Sequence, residues 1–132
     1  DGKTRKGRDG CRVPLPWTRE GSSFGFGSNG SHLPQPEWFG DYSVEAEDGV
    51  HGSTLELYRS AIALRKQLQS EEQLEWIDSP AKTLHFARPN GWQSFTNFGA
   101  KNVEAPAGKI VLASRPLKGN IVRKNTTVWI QA

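Results

Sequence analysis

Paired carboxylates are the first chemistry that this sequence offers, because two of them suffice to hydrolyse a glycosidic bond. One group comprises Asp41, Glu45, Glu47 and Asp48, and Glu71-Glu72 forms a second. Neither group follows a buried strand, the context that would enclose a carboxyl group and adapt it to acid catalysis. We therefore interpret both groups as parts of solvated polar loops.

The sequence contains no clear pattern for a metal site or for nucleophilic catalysis. His32, His51 and His85 lie far apart, without cysteine or carboxylate at a zinc-like spacing, so each is interpreted as a surface or internally satisfied histidine. The nucleophile elbow Gly-x-Ser-x-Gly, the Walker A loop and the dinucleotide-binding glycine fingerprint do not occur. We expect neither a metal nor a cofactor.

The net charge of +3 comes entirely from the first dozen residues, where five basic residues stand against two acidic ones. A nucleic-acid-binding protein usually spreads such charge over a face and interleaves aromatic side chains. A basic tail is therefore favoured over an RNA-binding arm. Cys11 is the single cysteine and nothing resembles a signal peptide or a membrane span, so we expect a cytoplasmic protein that binds neither nucleic acid nor membrane.

The chain changes character near residue 52. Ten of the 14 glycines and four of the eight prolines precede Ser53, which prevents long helices or strands there. The same stretch carries aromatic residues that a flexible linker would lack. We predict an ordered, extended loop with these aromatic residues: Trp17, Phe24, Phe26, Trp38, Phe39 and Tyr42.

A single long amphipathic helix is predicted after this loop. Ser53 and Glu56 have the spacing of a capping box, and the helix continues to about Leu68. Its apolar residues recur at intervals of three and four, which indicates a broad face packed on something large. That face comprises Leu57, Tyr58, Ala61, Ile62, Leu64 and Leu68.

Beyond the helix, short strands separated by turns predict an antiparallel β-sandwich or open barrel. Pro89-Asn90-Gly91 is a hairpin signal, because Asn-Gly tolerates the positive φ of a tight turn. The fold class is therefore mainly β, with a C-terminal β-sandwich preceded by the helix and the loop. The predicted strands are Leu74–Ile77, Thr83–Arg88, Trp92–Phe98, Lys109–Ser114, Gly119–Arg123 and Thr126–Gln131.

The segment Gly7–Trp17, which reads Gly-Arg-Asp-Gly-Cys-Arg-Val-Pro-Leu-Pro-Trp, resembles a known family. A similar pattern follows the last catalytic strand in the α-glucosidase and oligo-1,6-glucosidase branch of the α-amylase superfamily (glycoside hydrolase family 13). At Gly10 and Cys11, many members of that family have other small or polar residues. Further segments resemble the family in the same order: Gln35–Trp38, Tyr42–Glu45, Ser53–Arg59, Ile62–Arg65 and Phe95–Gly99.

This resemblance implies a retaining hydrolase on a (β/α)₈ barrel, with an aspartate nucleophile, a glutamate acid/base and a second aspartate. All three would precede this chain, so no residue here is expected to be catalytic. Residues 1–70 would form the end of the barrel and residues 71–132 the C-terminal β domain. Because the chain opens with Asp1 and contains no Met, we expect it to be a fragment, and without the three carboxylates we expect that fragment to be inactive alone.

The resemblance also assigns substrate contacts. Arg8 matches an arginine at the subsite for the terminal, non-reducing glucose, and Arg12 matches one nearer the rim of the pocket. A guanidinium presents a fork of donors to sugar hydroxyls. Trp17 is expected to pack under the loop rather than stack on a sugar.

The sequence thus favours a fragment of an α-glucosidase acting on α-linked gluco-oligosaccharides from the non-reducing end. A trehalose synthase or another glucosyl-transferring relative stays open within the enzyme class. A non-catalytic carbohydrate-binding β-sandwich is the alternative, and it requires Trp76, Trp92 or Trp129 on an open face. Without barrel strands opposite it, the apolar helix face would cause self-association or be covered by the loop.

Overall fold

The computed structural model describes residues 9–132, which fall into two units, residues 9–56 and residues 57–132. The fold is mainly β, as predicted: a five-stranded antiparallel sheet and a two-stranded sheet follow an irregular loop and one long helix. The division at residue 70, which follows from the family resemblance, stays a prediction.

The first unit is an ordered loop that contains only short helical turns. Its 3-10 helices are Asp9–Cys11, Ser22–Gly25 and Glu37–Tyr42, followed by helix α1 at Val44–Glu47. Ser43 caps α1: its buried hydroxyl accepts a hydrogen bond from Ala46 N (3.2 Å) and donates to the Gly40 carbonyl (2.8 Å).

Helix α2, Thr54–Gln67, confirms the predicted helix. The Ser53 hydroxyl accepts a hydrogen bond from Glu56 N (3.2 Å), as an N-cap does. The Glu56 carboxylate accepts from Gly49 N (3.1 Å), while the Ser53 N–H donates to the Val50 carbonyl (3.0 Å). Ser53 therefore caps the helix, and Glu56 links the first turn of the helix to the turn at Gly49. Among residues 9–132, no helix has the length and apolar character to cross a membrane.

The strands of the second unit are β1 Glu75–Trp76, β2 Thr83–Ala87, β3 Trp92–Asn97, β4 Val103–Glu104, β5 Lys109–Ala113, β6 Ile121–Val122 and β7 Thr126–Gln131. The large sheet has the strand order β1-β2-β3-β7-β5, and β4 pairs with β6. All six predicted strands are confirmed, although most are shorter than expected. Strand β4 was not predicted, because its two residues directly precede the turn signal Ala105-Pro106-Ala107-Gly108.

The core of the second unit lies between the two sheets. Phe95 from β3 and Val128 and Ile130 from β7 pack with Val122 from β6 and with Ala105, all of them 9% exposed or less. These side chains alternate with residues on the opposite face, as strand geometry requires. The small sheet therefore covers one face of the large sheet and makes a sandwich.

Helix α2 lies on the other face of the large sheet. Leu57 and Ala61 line a small cavity together with Leu112 of β5 and Trp129 of β7, and both are half-buried. The sheet thus covers part of the helix face that the sequence left without a partner. Ile62 keeps 56% of its surface exposed, so the covering is partial and the predicted self-association stays a prediction.

Candidate functional site

The backbone just after Arg12 is fixed by helix α1. The carbonyl of Pro16 accepts a hydrogen bond from Val44 N (3.2 Å), and the carbonyl of Trp17 accepts one from Glu45 N (3.0 Å). The first N–H groups of a helix have no partner within it, so they are available for such contacts. Helix α1, although only four residues long, therefore holds the end of the family-like segment at Pro16 and Trp17.

A tight left-handed turn fixes the same segment from a second direction. The Phe24 carbonyl accepts hydrogen bonds from Trp17 N (2.7 Å) and Thr18 N (2.9 Å). Ser23 and Phe24 both have φ of 49°, a conformation that bulky residues rarely adopt. Gly25 follows at φ 77°, where a Cβ would lie 2.7 Å from the Thr18 hydroxyl oxygen. The turn thus depends on the close approach of residues 17–18.

The acidic residues around α1 serve the backbone. Three carboxylates accept hydrogen bonds from main-chain N–H groups, so their role is structural. Glu45 and Glu47 lie in α1, whereas a polar loop was predicted there. Among the described residues, no cluster of histidine, cysteine and carboxylate could hold a metal ion. The contacts are Glu45 with Arg19 N (2.8 Å), Glu47 with Leu55 N (2.8 Å) and Glu56 with Gly49 N (3.1 Å).

An aromatic group on the first unit is largely open to solvent. The rings of Trp38 and Phe39 meet edge to face with centroids 4.7 Å apart, and Trp38 meets Tyr42 at 5.8 Å. Trp38 is 57% exposed and Tyr42 65% exposed. Trp17 is 48% exposed, so the loop covers only about half of it.

A second aromatic row crosses the large sheet of the second unit. Trp76, Phe86, Trp92 and Trp129 make successive edge-to-face contacts, with centroid separations of 5.9, 5.9 and 5.2 Å. The strand register places their side chains on the face that α2 covers. The open tryptophan face required by a carbohydrate-binding module is therefore present only at Trp76, which is 65% exposed.

A cavity of about 560 Å³ lies between the end of α2 and this aromatic row. Ligand sites commonly have volumes of about 300–1,000 Å³. Two buried polar atoms of lining residues, Trp92 Nε1 and Ser70 Oγ, have no hydrogen-bond partner among the described residues. Each such atom costs about 1–3 kcal/mol. The lining residues are Arg65, Leu68, Gln69, Ser70, Glu72, Leu74, Phe86, Arg88, Trp92 and Trp129.

Two hydrogen bonds hold the cavity's helical side in place. Asn90, in the predicted hairpin turn, donates from Nδ2 to the Leu68 carbonyl (2.8 Å), and Arg88 donates from Nη2 to the Glu71 carbonyl (2.9 Å). A helix leaves its last carbonyls without partners, so the hairpin supplies a donor where one is needed. The β2–β3 hairpin therefore positions the end of α2 on the sheet.

His85 is internally satisfied, as predicted. It is buried, its Nε2 lies 2.8 Å from Gln93 Oε1, and its ring meets Phe95 edge to face at 5.5 Å. A hydrogen-bonded imidazole within the core has a structural role.

Comparison with known proteins gives one informative result. The chain is similar to an α-glucosidase. It is 29% identical over 118 residues to a Rhizobium meliloti (strain 1021) protein named "Probable alpha-glucosidase", a match that covers 87% of this chain and 21% of that relative. The chain thus spans about a fifth of the length of the curated relative it matches. No family model matches the sequence.

Of the two arginines singled out from the sequence, only Arg12 lies among the described residues; Arg8 lies outside them. Arg12 is exposed, directly follows the 3-10 helix Asp9–Cys11 and stands four residues before Pro16. Their roles in sugar binding stay predictions.

Sequence reasoning missed the cavity beside α2. Its lining comes from residues between Arg65 and Trp129, so no local motif reveals it. The available signal was the even spacing in β2 and β3, which places Phe86 and Trp92 on one face of the sheet. A cavity forms on that face only because α2 packs against it.

Proposed function

We propose that this chain is part of a retaining α-glucosidase that hydrolyses α-linked gluco-oligosaccharides from the non-reducing end. The catalytic aspartate and glutamate belong to a part of the enzyme outside this chain, so the chain alone is inactive. The observation that carries the proposal is the match of 118 residues to a protein named "Probable alpha-glucosidase".

The order of the family-like segments supports the same proposal. They run from Gly7–Trp17 to Phe95–Gly99 without rearrangement. At the end of the motif segment, the backbone of Pro16 and Trp17 is held by α1 and by the turn at Phe24. A fixed backbone favours substrate contacts by nearby side chains, because positioning lowers the entropy cost of binding.

The exposed large apolar side chains of the first unit provide independent support. They include Leu15, Trp17, Trp38 and Tyr42, which are between 48% and 68% exposed. A barrel that precedes this unit in the polypeptide would cover such residues. In this proposal the first unit belongs to the end of the barrel, whose C-terminal loops form the active site.

Arg8 and Arg12 are the substrate-binding residues in this proposal. Arg8 binds the terminal glucose and Arg12 lies nearer the rim. Neither takes part in bond cleavage, so each contributes through hydrogen bonds from a charged donor, worth about 1.5–3 kcal/mol. We propose a cytoplasmic enzyme that requires no cofactor.

The proposal is tested by expressing the complete reading frame that contains the Asp1 codon. The purified protein is assayed with maltose, isomaltose and a nitrophenyl α-glucoside, with the 132-residue chain as control. The complete protein should release glucose with retention of the α configuration, followed by NMR, and the control should not. A start codon directly before Asp1, or a complete protein without hydrolytic activity, would overturn the proposal.

Arginine variants of the complete protein test the assigned roles. Arg8→Ala should lower kcat/KM by about 10–100-fold, the loss expected for a charge-assisted hydrogen bond, and Arg12→Ala by less. Arg115→Ala is the matched control, because Arg115 is exposed between β5 and β6 of the second unit. Equal losses in all three variants would contradict the assignment.

A further inference from the structure

We propose that the cavity between the end of α2 and the aromatic row is a binding site for a neutral pyranose sugar. The inference goes beyond the proposed function, because its residues lie in the second unit and none belongs to the Gly7–Trp17 segment. It rests on that function only for the choice of α-glucosides as probes.

The shape and lining of the cavity suit a flat, hydroxylated ring. Phe86, Trp92 and Trp129 provide aromatic walls, and the volume of about 560 Å³ accommodates one or two sugar units. The C–H groups on one face of a pyranose ring pack against aromatic surfaces. Aromatic side chains therefore bind the apolar face of a sugar and leave its edge for polar contacts.

Polar side chains also line the cavity. Gln69 and Ser70 lie just after α2, and Arg65 and Glu72 carry opposite charges at the same cavity. A hydroxyl both donates and accepts hydrogen bonds, so a sugar can use donors and acceptors together. A ligand with only one of these capacities would leave part of the lining without a partner.

The unpaired atoms provide an observation that is independent of shape. Trp92 Nε1 can only donate, whereas Ser70 Oγ can donate or accept. Both are inaccessible to water in this conformation, so a small rotation of either side chain is needed to present them to a ligand. Binding that pairs them removes the cost of leaving them unsatisfied.

The charged groups of the lining have both signs. Arg65 and Arg88 are positive and Glu72 is negative, and Arg88 also donates to the Glu71 carbonyl at 2.9 Å. The hydroxyl groups of a neutral sugar can accept from the arginines and donate to the glutamate. A phosphate or carboxylate can accept from the arginines but would leave the Glu72 carboxylate facing another anion.

The test is calorimetric titration of the 132-residue chain with methyl α-D-glucopyranoside, maltose and isomaltose, with glucose 6-phosphate as the anionic probe. Tryptophan fluorescence is followed in parallel, because the indoles lie at the site. We expect saturable binding with a Kd on the order of 1 mM for the neutral sugars and weaker binding of the phosphate.

Two tryptophans of the same row provide a matched pair. Trp92→Phe keeps a ring but removes the Nε1 donor, and should weaken binding about tenfold, the loss of one hydrogen bond. Trp76→Phe changes a residue outside the cavity lining and should alter affinity by less than about twofold. Ser70→Ala is a smaller change that should weaken binding severalfold. It replaces Trp92→Phe as the test if that variant fails to fold.

The inference is overturned if the folded chain binds no neutral sugar at sugar concentrations up to about 100 mM, a range that would reveal even weak binding. Stronger binding of glucose 6-phosphate than of glucoside, or an equal loss in Trp76→Phe, would overturn it as well. Because hydrolysis is not expected of this chain, a failure here is distinct from a failure of the complete protein to hydrolyse α-glucosides.

Discussion

The two units of this chain bury their side chains very differently. Among residues 10–56, whose burial the structure describes, the buried residues are Ser23, Gly40 and Ser43, none of them a large apolar residue. Residues 57–132 bury a core that includes Phe95 and Ile130. The first unit is held by main-chain hydrogen bonds and close approaches, and the second by a hydrophobic core.

Burial of apolar surface is the main favourable term in folding, so the second unit has its own source of stability. The first unit exposes its largest apolar residues, among them Trp38 and Tyr42, and therefore lacks that source within the described chain. The proposed barrel would supply it. Four substitutions test whether the two units are stabilised in these different ways.

The largest effect is expected from Phe95→Ala, in the core of the second unit. Phe95 is 2% exposed, and its truncation leaves a cavity that should lower the free energy of unfolding by about 3–5 kcal/mol. Urea denaturation followed by circular dichroism measures the change. Phe98→Ala is the control, because Phe98 is 58% exposed and should cost less than about 1 kcal/mol. Similar losses in both would refute the assigned core.

Asn97→Ala should have the next largest effect. The buried Asn97 amide donates to the Lys101 and Val122 carbonyls, both at 2.9 Å, and accepts from Gly99 N (2.8 Å), so it ties β3 to β6. Its removal leaves buried groups unpaired and should cost about 3 kcal/mol in urea denaturation. Asn102→Ala, at an exposed position, is expected to change the unfolding free energy little.

Gly40→Ala tests the first unit separately. A Cβ at Gly40 would collide with the Arg19 carbonyl oxygen, which is backbone and cannot turn aside. We expect a local destabilisation of about 2 kcal/mol, measured as faster tryptic cleavage after Arg19, with the urea midpoint of the second unit unchanged. Gly27→Ala, where a Cβ meets no atom within 4 Å, is the control. Equal cleavage rates would show that the loop does not require this contact.

The smallest effect is expected from Ser53→Ala at the start of α2. Loss of the hydrogen bond from Glu56 N should cost about 1 kcal/mol, measured by thermal denaturation at 222 nm. Ser60→Ala, at an exposed position inside the helix, should be neutral or slightly stabilising because alanine is the better helix former. A larger loss of stability in Ser60→Ala than in Ser53→Ala would contradict the role of Ser53 as the cap.

The sequence predicted the elements whose signals are local. The cap at Ser53 and the hairpin at Asn90-Gly91 depend on neighbouring residues, and both are confirmed. Strand order was not predictable, because β7 pairs between β3 and β5 through contacts distant in sequence. The role of Asn97 was hidden for the same reason: its partner Val122 lies 25 residues away.

The candidate sites show the same limit. The Gly7–Trp17 motif was visible because its residues are contiguous, and the match to a protein named "Probable alpha-glucosidase" agrees with it. The cavity beside α2 was not visible, because Ser70 and Trp92 are brought together only by the packing of α2 on the sheet. Tertiary packing is the physical cause of what local patterns missed.

Hydrogen exchange compared between this chain and the complete protein tests the central claim most directly. If a barrel covers the first unit, amides of residues 14–48 should exchange quickly in the 132-residue chain and slowly in the complete protein. Amides of β3 and β7 should be protected in both, because their core lies within the second unit. Equal protection of residues 14–48 in both proteins would contradict the account.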